Sequence, residues 1–239
     1  MAQQLWFDLV PSGGMYSDDR FCSGPSNESA QSALQRSDSW SFGALVLVGD
    51  QGSGKSHLAE MWRHNNSGKV ISASSIPLRL TGSIVVDNVD EQLDEEGLFH
   101  LLNRAVCSEA KVLLLARVGP SGWSVKLADL VSRIRALEVV RIDEPDDEVL
   151  VCILKKLSRD RSLRLDDKLL QYLVTRMERS SQSALRLVEA LNARSLEGYR
   201  PVNRALARQV LDELEEVPQM LGLMDNNTVP KSGVKNESE

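Results

Sequence analysis

The chain is 239 residues long, enough for one large domain or a core domain with a smaller companion, and aromatics are only 5 % of it, so its core must be mainly aliphatic. A formal net charge of -6 with 26 % charged residues argues against a general nucleic-acid-binding surface, so any DNA involvement is indirect. No run approaches the roughly 18 apolar residues of a membrane span, and the first ten residues lack the basic start and apolar core of a signal peptide, which gives a cytoplasmic reading without a membrane partner.

The chain opens on "QLWFDL", Gln4 to Leu9, which sets Leu5, Trp6, Phe7 and Leu9 close together ahead of any folded domain. Two readings are open. The segment is either a strap packed on its own domain or a linear peptide for a partner's groove, with the Gln4 amide fixing register and the apolar side chains filling a pocket. "PSGGMYSDD" is a turn-rich spacer, and "GPSNESAQSALQRSD" opens on a capping signal and spaces small apolar residues like a short helix.

The runs "ALVLVGD", "KVISASS", "GSIVVDNVD", "AKVLLLARV" and "ALEVVRID" have strand length. Helical stretches such as "SHLAEMWRHN" and "EEGLFHLLNRAVCS" separate them. Short apolar strands alternating with helices predict an α/β fold with a parallel sheet covered on both faces. Cys22, Cys107 and Cys152 are odd in number and far apart, so they read as reduced packing residues, and a metal site built on them is not expected.

At "DEPDDE" the strand signals stop. "DDEVLVCILKKLSRD", "DDKLLQYLVTRMER", "SQSALRLVEALNAR" and "PVNRALARQVLDELEE" each repeat apolar residues every three to four positions, and several open on Asp, Ser or Pro. They predict a small all-α domain. The expected division is a peptide at 1–12, the α/β domain at 13–143, the helical domain at 144–216 and a polar, disordered tail at 217–239.

"GDQGSGKS" matches the phosphate-binding loop in full, between a strand and a helix where that loop belongs. Gly49, Gly52, Ser53 and Gly54 let backbone N–H groups turn toward phosphate oxygens. Lys55 reaches the β and γ phosphates, Ser56 ligates magnesium, and the next helix aims its N-terminus at the anion. "SIVVDNVD" supplies the partner strand, with Asp87 at its end to hold the magnesium directly or through water.

Taken in order, "RFCSGPSNESAQSAL", "LVLVGDQGSGKSHLAEMW", "VVDNVD", "LFHLLNRA" and "LADLVSRI" resemble the AAA+ P-loop NTPase core of the bacterial replication initiator DnaA and its relatives. The resemblance implies an AAA+ core followed by a helical lid, with ADP or ATP as the ligand. It places Phe21, Gly24 and Asn27 against the adenine and His57 beside the nucleotide in a packing or capping role. It also implies that Gln4, Leu5, Trp6, Phe7 and Leu9 form a hexapeptide for the DNA polymerase III sliding clamp. Arg133, in "LADLVSRIR", corresponds to the arginine that projects from one subunit onto the γ-phosphate held by its neighbour, with Arg135 as a nearby rival.

The sequence leaves no room before Gln4 for an initiator's assembly domain and nothing after Glu216 for its DNA-binding domain. Asn88 stands where an acidic residue orients water, and Leu115, Ala116 and Arg117 stand where a polar nucleotide sensor is expected. In the lid, Gln182 occupies the place of a phosphate-contacting arginine, with Arg179 and Arg186 as alternatives. Weak turnover beside an intact Arg133 fits a regulator acting on DnaA, alone or as a homodimer. The competing reading is a self-assembling ATPase or helicase-loading factor that hydrolyses its own ATP.

Overall fold

A computed structural model of the chain describes residues 21–198 and 201–224, with the side chains of 215–224 left out of the description. The expected hexapeptide, Gln4 to Leu9, lies outside the described residues.

Five strands follow the predicted runs: β1 (Ala44–Val48), β2 (Lys69–Ser72), β3 (Gly82–Asp87), β4 (Ala110–Ala116) and β5 (Glu138–Arg141). They form one parallel sheet in the order β2-β3-β4-β1-β5. Four helices belong to this body: α1 (Glu28–Gln35), α2 (Lys55–Asn65), α3 (Glu95–Val106) and α4 (Ala128–Arg135). β1 is buried along its whole length because it lies between β4 and β5 and is covered above and below. The edge strands β2 and β5 keep exposed positions, so unbroken burial belongs to the centre alone.

The period of two along each strand divides the core. Val46, Val48, Ile84, Val86, Val112 and Leu114 pack with Leu98 and Leu101 of α3 and Leu130 and Ile134 of α4. Leu45, Leu47, Val85, Leu113 and Leu115 pack with Ala30, Ala33 and Leu34 of α1 and Leu58 and Trp62 of α2. Trp62 also stacks on Trp40, with ring centroids 5.2 Å apart.

The second body holds α5 (Asp147–Asp160), α6 (Asp167–Val174), α7 (Ser181–Glu197) and α8 (Arg204–Met224). Leu150, Leu154, Leu170, Leu173, Leu187, Leu191 and Val210 form its own core. The side chains of Asp146, Asp166 and Ser180 accept hydrogen bonds from Val149, Leu169 and Ser183 N–H; the first two are the aspartates on which the sequence segments open, and the third lies one residue before the opening serine, Ser181. α8 runs to Met224, beyond the expected end of the helical domain at 216.

Two expectations are corrected. Cys22 and Cys152 are joined in a disulfide, with Cα atoms 5.9 Å apart, and are not reduced packing residues. They are 130 residues apart in sequence and meet because α5 folds back beside the segment leading into α1. Cys107 is free and exposed. The capping signal before α1 works differently from the expectation: Asn27 occupies the N-cap position but its side chain caps nothing. Its amide accepts from Gly24 N–H at 3.1 Å and donates to the Cys22 carbonyl at 2.9 Å, knitting the preceding turn together while only 4 % exposed.

Candidate nucleotide site

A parallel sheet brings every strand's carboxyl end to one edge, and a crevice there is the natural ligand site of an open α/β fold. That edge gathers the loop after β1, Asp87 at the end of β3, and Arg117 just beyond β4. In register, Val48 pairs with Ala116 and Val86 with Leu114, and Gly49 N–H donates to the Ala116 carbonyl at 3.2 Å.

The loop needs its glycines for definite reasons. Gly52 has φ +77°, a left-handed conformation that strains other residues, and a β-carbon there would lie 3.2 Å from Cβ of Gln182. Gly54, the N-cap of α2, accepts from Leu58 N–H at 3.0 Å. The Lys55 ammonium donates to the carbonyls of Gly49 and Asp50, the latter at 2.8 Å, and so folds back along the loop. Burial lowers its pKa first and the nearby Arg117 charge lowers it further, against the pull of Asp87, Asp50 and Asp90. The Ser53 hydroxyl is buried in the loop without a hydrogen-bond partner, a polar group suited to meeting a phosphate oxygen. Ser56 is exposed at the first turn of α2.

Asp87 is partly buried, and burial raises its carboxyl pKa. The N–H of Asn88, which it accepts at 2.9 Å, and the charge of Lys55 oppose the rise, while Glu91 and Asp90 add to it. Asn88 itself is exposed, with φ +59°.

The other wall is the segment expected against adenine. Phe21 meets the His57 ring edge-on, with centroids 5.3 Å apart, and its carbonyl accepts from Lys156 of α5 at 2.9 Å. Burial, then the Lys156 charge, lowers the His57 pKa to about 4, so the ring is neutral at pH 7. Gly24 lies so close to the helical body that a β-carbon on it would be 2.4 Å from Val149 Cγ2. Asp143 N–H donates to the Ser26 carbonyl at 3.0 Å, fixing this wall on the β5 side of β1.

The lid meets the loop directly. Ser181 N–H, at the start of α7, donates to the Gly52 carbonyl at 2.9 Å, which brings Gln182 against the loop. Arg179 pairs with Asp147 at 2.8 Å, and Arg186 pairs with Glu178 at 3.4 Å. Of the three lid candidates, the structure therefore brings Gln182 to the loop.

Arg133 stands apart. It is on α4, whose entry is set by the Glu95 carboxylate accepting the N–H groups of Lys126 and Leu127. Its guanidinium lies 4.9 Å from the centre of the Phe99 ring on α3, a cation–π contact. It borders an apolar cavity of about 200 Å³ lined also by Phe42, Leu102, Val106 and Leu137, in which Phe42 is 54 % exposed. Among the described residues, no hydrogen bond or ion pair joins Arg133 to the loop. Arg135 is exposed on the same helix. Arg117, which stands with Leu115 and Ala116 where the sequence led one to expect a polar sensor, pairs with Glu91 at 3.1 Å, a partner 26 positions away that no local pattern announces.

No protein family model matches the chain. It is 28 % identical over 187 residues to an uncharacterized protein of Haemophilus influenzae, covering 70 % of this chain and 81 % of that one. It is 22 % identical over 257 residues to the chromosomal replication initiator protein DnaA of Nautilia profundicola, covering 91 % and 56 %. The chain spans about half the length of the DnaA relatives it matches. Domain III of Thermotoga maritima DnaA superposes with TM-score 0.71 at 17 % identity, covering 85 % of this chain and 98 % of that domain. AMPPCP-bound DnaA from Aquifex aeolicus superposes with TM-score 0.65 at 17 % identity, covering 89 % and 74 %. The fold is that of a DnaA-like AAA+ domain: a five-stranded parallel sheet with flanking helices, followed by a helical region.

Proposed function

We propose that this chain is a cytoplasmic regulator of replication initiation, similar to Hda. In this reading it binds ADP or ATP, is tethered to the DNA polymerase III sliding clamp through Gln4 to Leu9, and stimulates ATP hydrolysis by DnaA in trans. The left-handed turn at Gly52, the buried Ser53 hydroxyl and the Lys55 ammonium suit a phosphate chain. Ser56 and Asp87 are the residues to hold Mg²⁺, which when bound neutralises charge between the phosphates. Phe21, Gly24, Asn27 and His57 form the wall for the base. Asn88 has no carboxylate with which to take a proton from water, so turnover by the chain itself is slow.

The observation that carries the reading is the separation of Arg133 from the nucleotide loop. Its guanidinium rests on Phe99 beside exposed apolar surface, available to another molecule's nucleotide. An arginine of this kind stabilises transition-state charge on a transferred phosphoryl group, and its planar fork of donors is not reproduced by lysine. The test is the rate of ATP hydrolysis by DnaA with this protein and DNA-loaded clamp. Arg133→Ala should fold and bind nucleotide yet lose stimulation, by on the order of 10³-fold where chemistry limits the rate. Normal stimulation by Arg133→Ala overturns the trans mechanism, and a loss seen only in Arg135→Ala moves the role along the helix. Fast hydrolysis by the protein alone supports the self-hydrolysing alternative.

A further inference from the structure

α5 turns one face to the base wall. Val149, Cys152 and Lys156 stand three and four residues apart, so they share a side of that helix, and each meets the wall at a different place. Gly24 leaves room for Val149 only because it has no side chain, Cys152 is bonded to Cys22, and the Lys156 ammonium donates to the Phe21 carbonyl at 2.9 Å. Wall residues 24, 22 and 21 thus meet α5 residues 149, 152 and 156 in order, the two segments running antiparallel. One covalent bond lies between two contacts that are not.

The wall in turn touches the helix that follows the phosphate loop. Phe21 meets His57 edge-on in the first turn of α2, two residues after Lys55. Beside the bridge, the wall is tied to the start of α5 by Ser26 N–H, which donates to the Asp146 carboxylate at 3.3 Å. Hydrogen bonds such as this one and that of Lys156 can exchange with water, whereas a disulfide yields only to a thiol. Cys22 is 6 % exposed and Cys152 is partly open, so a thiolate from solution reaches the bridge at the Cys152 sulfur.

We propose that the Cys22–Cys152 bridge is a redox latch on the bound nucleotide: oxidised, it fastens the helical body to the wall of the base, and reduced, it lets the two part and the nucleotide leave. The proposal rests on the reading of the loop as a nucleotide site and of the chain as cytoplasmic, a compartment in which disulfides are usually transient and sense redox state. The step is exchange with a dithiol reductant. One reductant thiolate attacks the Cys152 sulfur, the S–S bond breaks, and Cys22 leaves as a thiolate that takes up a proton. The second reductant thiolate then attacks the mixed disulfide and frees Cys152 in the same way. Two electrons and two protons pass to the protein, and the reductant ends as a disulfide. The hydrogen bonds of Phe21 and Ser26 remain, so the wall is loosened and not unfolded. Linkage makes the latch reciprocal: by whatever factor the bridge tightens the nucleotide, the nucleotide must favour the bridge over the two thiols.

The experiment measures ADP affinity of the full chain, oxidised and in excess dithiothreitol, and then the thiol–disulfide equilibrium of the same protein against graded ratios of reduced and oxidised dithiothreitol, with and without saturating ADP. Reduction should weaken ADP about tenfold, on the scale of coupled sites, and ADP should shift the equilibrium toward the disulfide by an equal factor. Cys152→Ser should bind ADP as the reduced protein does and ignore reductant, while Cys107→Ser, which alters the free exposed cysteine, should respond as wild type does. The wild-type comparison stands even where a variant does not fold. Equal ADP affinity in the two redox forms, or an equilibrium indifferent to ADP, overturns the proposal and leaves the nucleotide reading intact. Wild-type protein that binds ADP in neither form removes that reading and this proposal together.

Discussion

The sheet body and the helical body are stabilised in different ways. In the sheet body, strands buried on both faces fix the backbone, so Gly49, Asp87 and Arg117 arrive at one edge by register alone. In the helical body no sheet imposes register, and position depends on where each helix begins, which Asp146, Asp166 and Ser180 decide through their caps. Chemistry thus comes from the body whose backbone is held by its neighbours, and adjustable contact comes from the body held by side chains.

The widest separation of the two should follow from cutting the bond between them. Cys22→Ser removes a cross-link closing 130 residues, and chain-entropy reasoning gives up to about 5 kcal/mol of lost stability, read by denaturant unfolding with and without reductant. Wild-type protein in reductant should match the variant. A variant as stable as the oxidised protein would mean that the two bodies hold together without the bridge.

A smaller effect sharpens the contact by pH. His57 has its pKa depressed to about 4 by burial and then by Lys156 of the helical body, against 6.5 in an unfolded chain. Between these values the unfolded chain binds the proton and the folded one does not, so stability is complete above pH 6.5 and lost as pH falls toward 4. The loss is roughly 2 kcal/mol by pH 5, and His57→Gln should remove that slope from the pH dependence of unfolding.

Smaller still are the caps. Asp166→Ala should cost about 1 kcal/mol at the start of α6. Asp94→Ala in the sheet body should cost more, because Asp94 accepts from Ile76 N–H as well as Gly97 N–H and so ties α3 to the segment after β2. Thermal unfolding of the two variants side by side checks the order, and equal losses would show that α3 needs only its cap.

What could be seen in the sequence follows the same division. The central strands were legible because continuous apolar runs leave few alternatives, the edge strands because they recur between helical stretches, and the phosphate loop because its residues are adjacent. The caps at Asp146 and Asp166 were legible because a cap and its helix are neighbours, whereas the cap of α7 is Ser180, one residue before the serine on which the helical stretch opens. The Cys22–Cys152 bond was hidden because a 130-residue separation carries no local sign, and Asn27 was misjudged because its amide turns backward to Cys22 and Gly24. Arg117 was visible, but its pairing with Glu91 was not, because only the fold brings the two near.

The contact between lid and loop is main chain to main chain, from Ser181 N–H to the Gly52 carbonyl, and so side-chain replacement leaves it unbroken. Almost any residue can occupy position 181 without silencing it. Proline is the exception, for it has no N–H to give. Ser181 is the first residue of α7, where proline is well accepted, and Ser180 before it is already extended at φ -144° and ψ 149°, as a residue preceding proline prefers. Ser181→Pro should therefore keep the helix and remove this one contact. Hydrogen exchange in the first turns of α7 should then rise, and equal protection in variant and wild type would show that other contacts hold α7 on the loop.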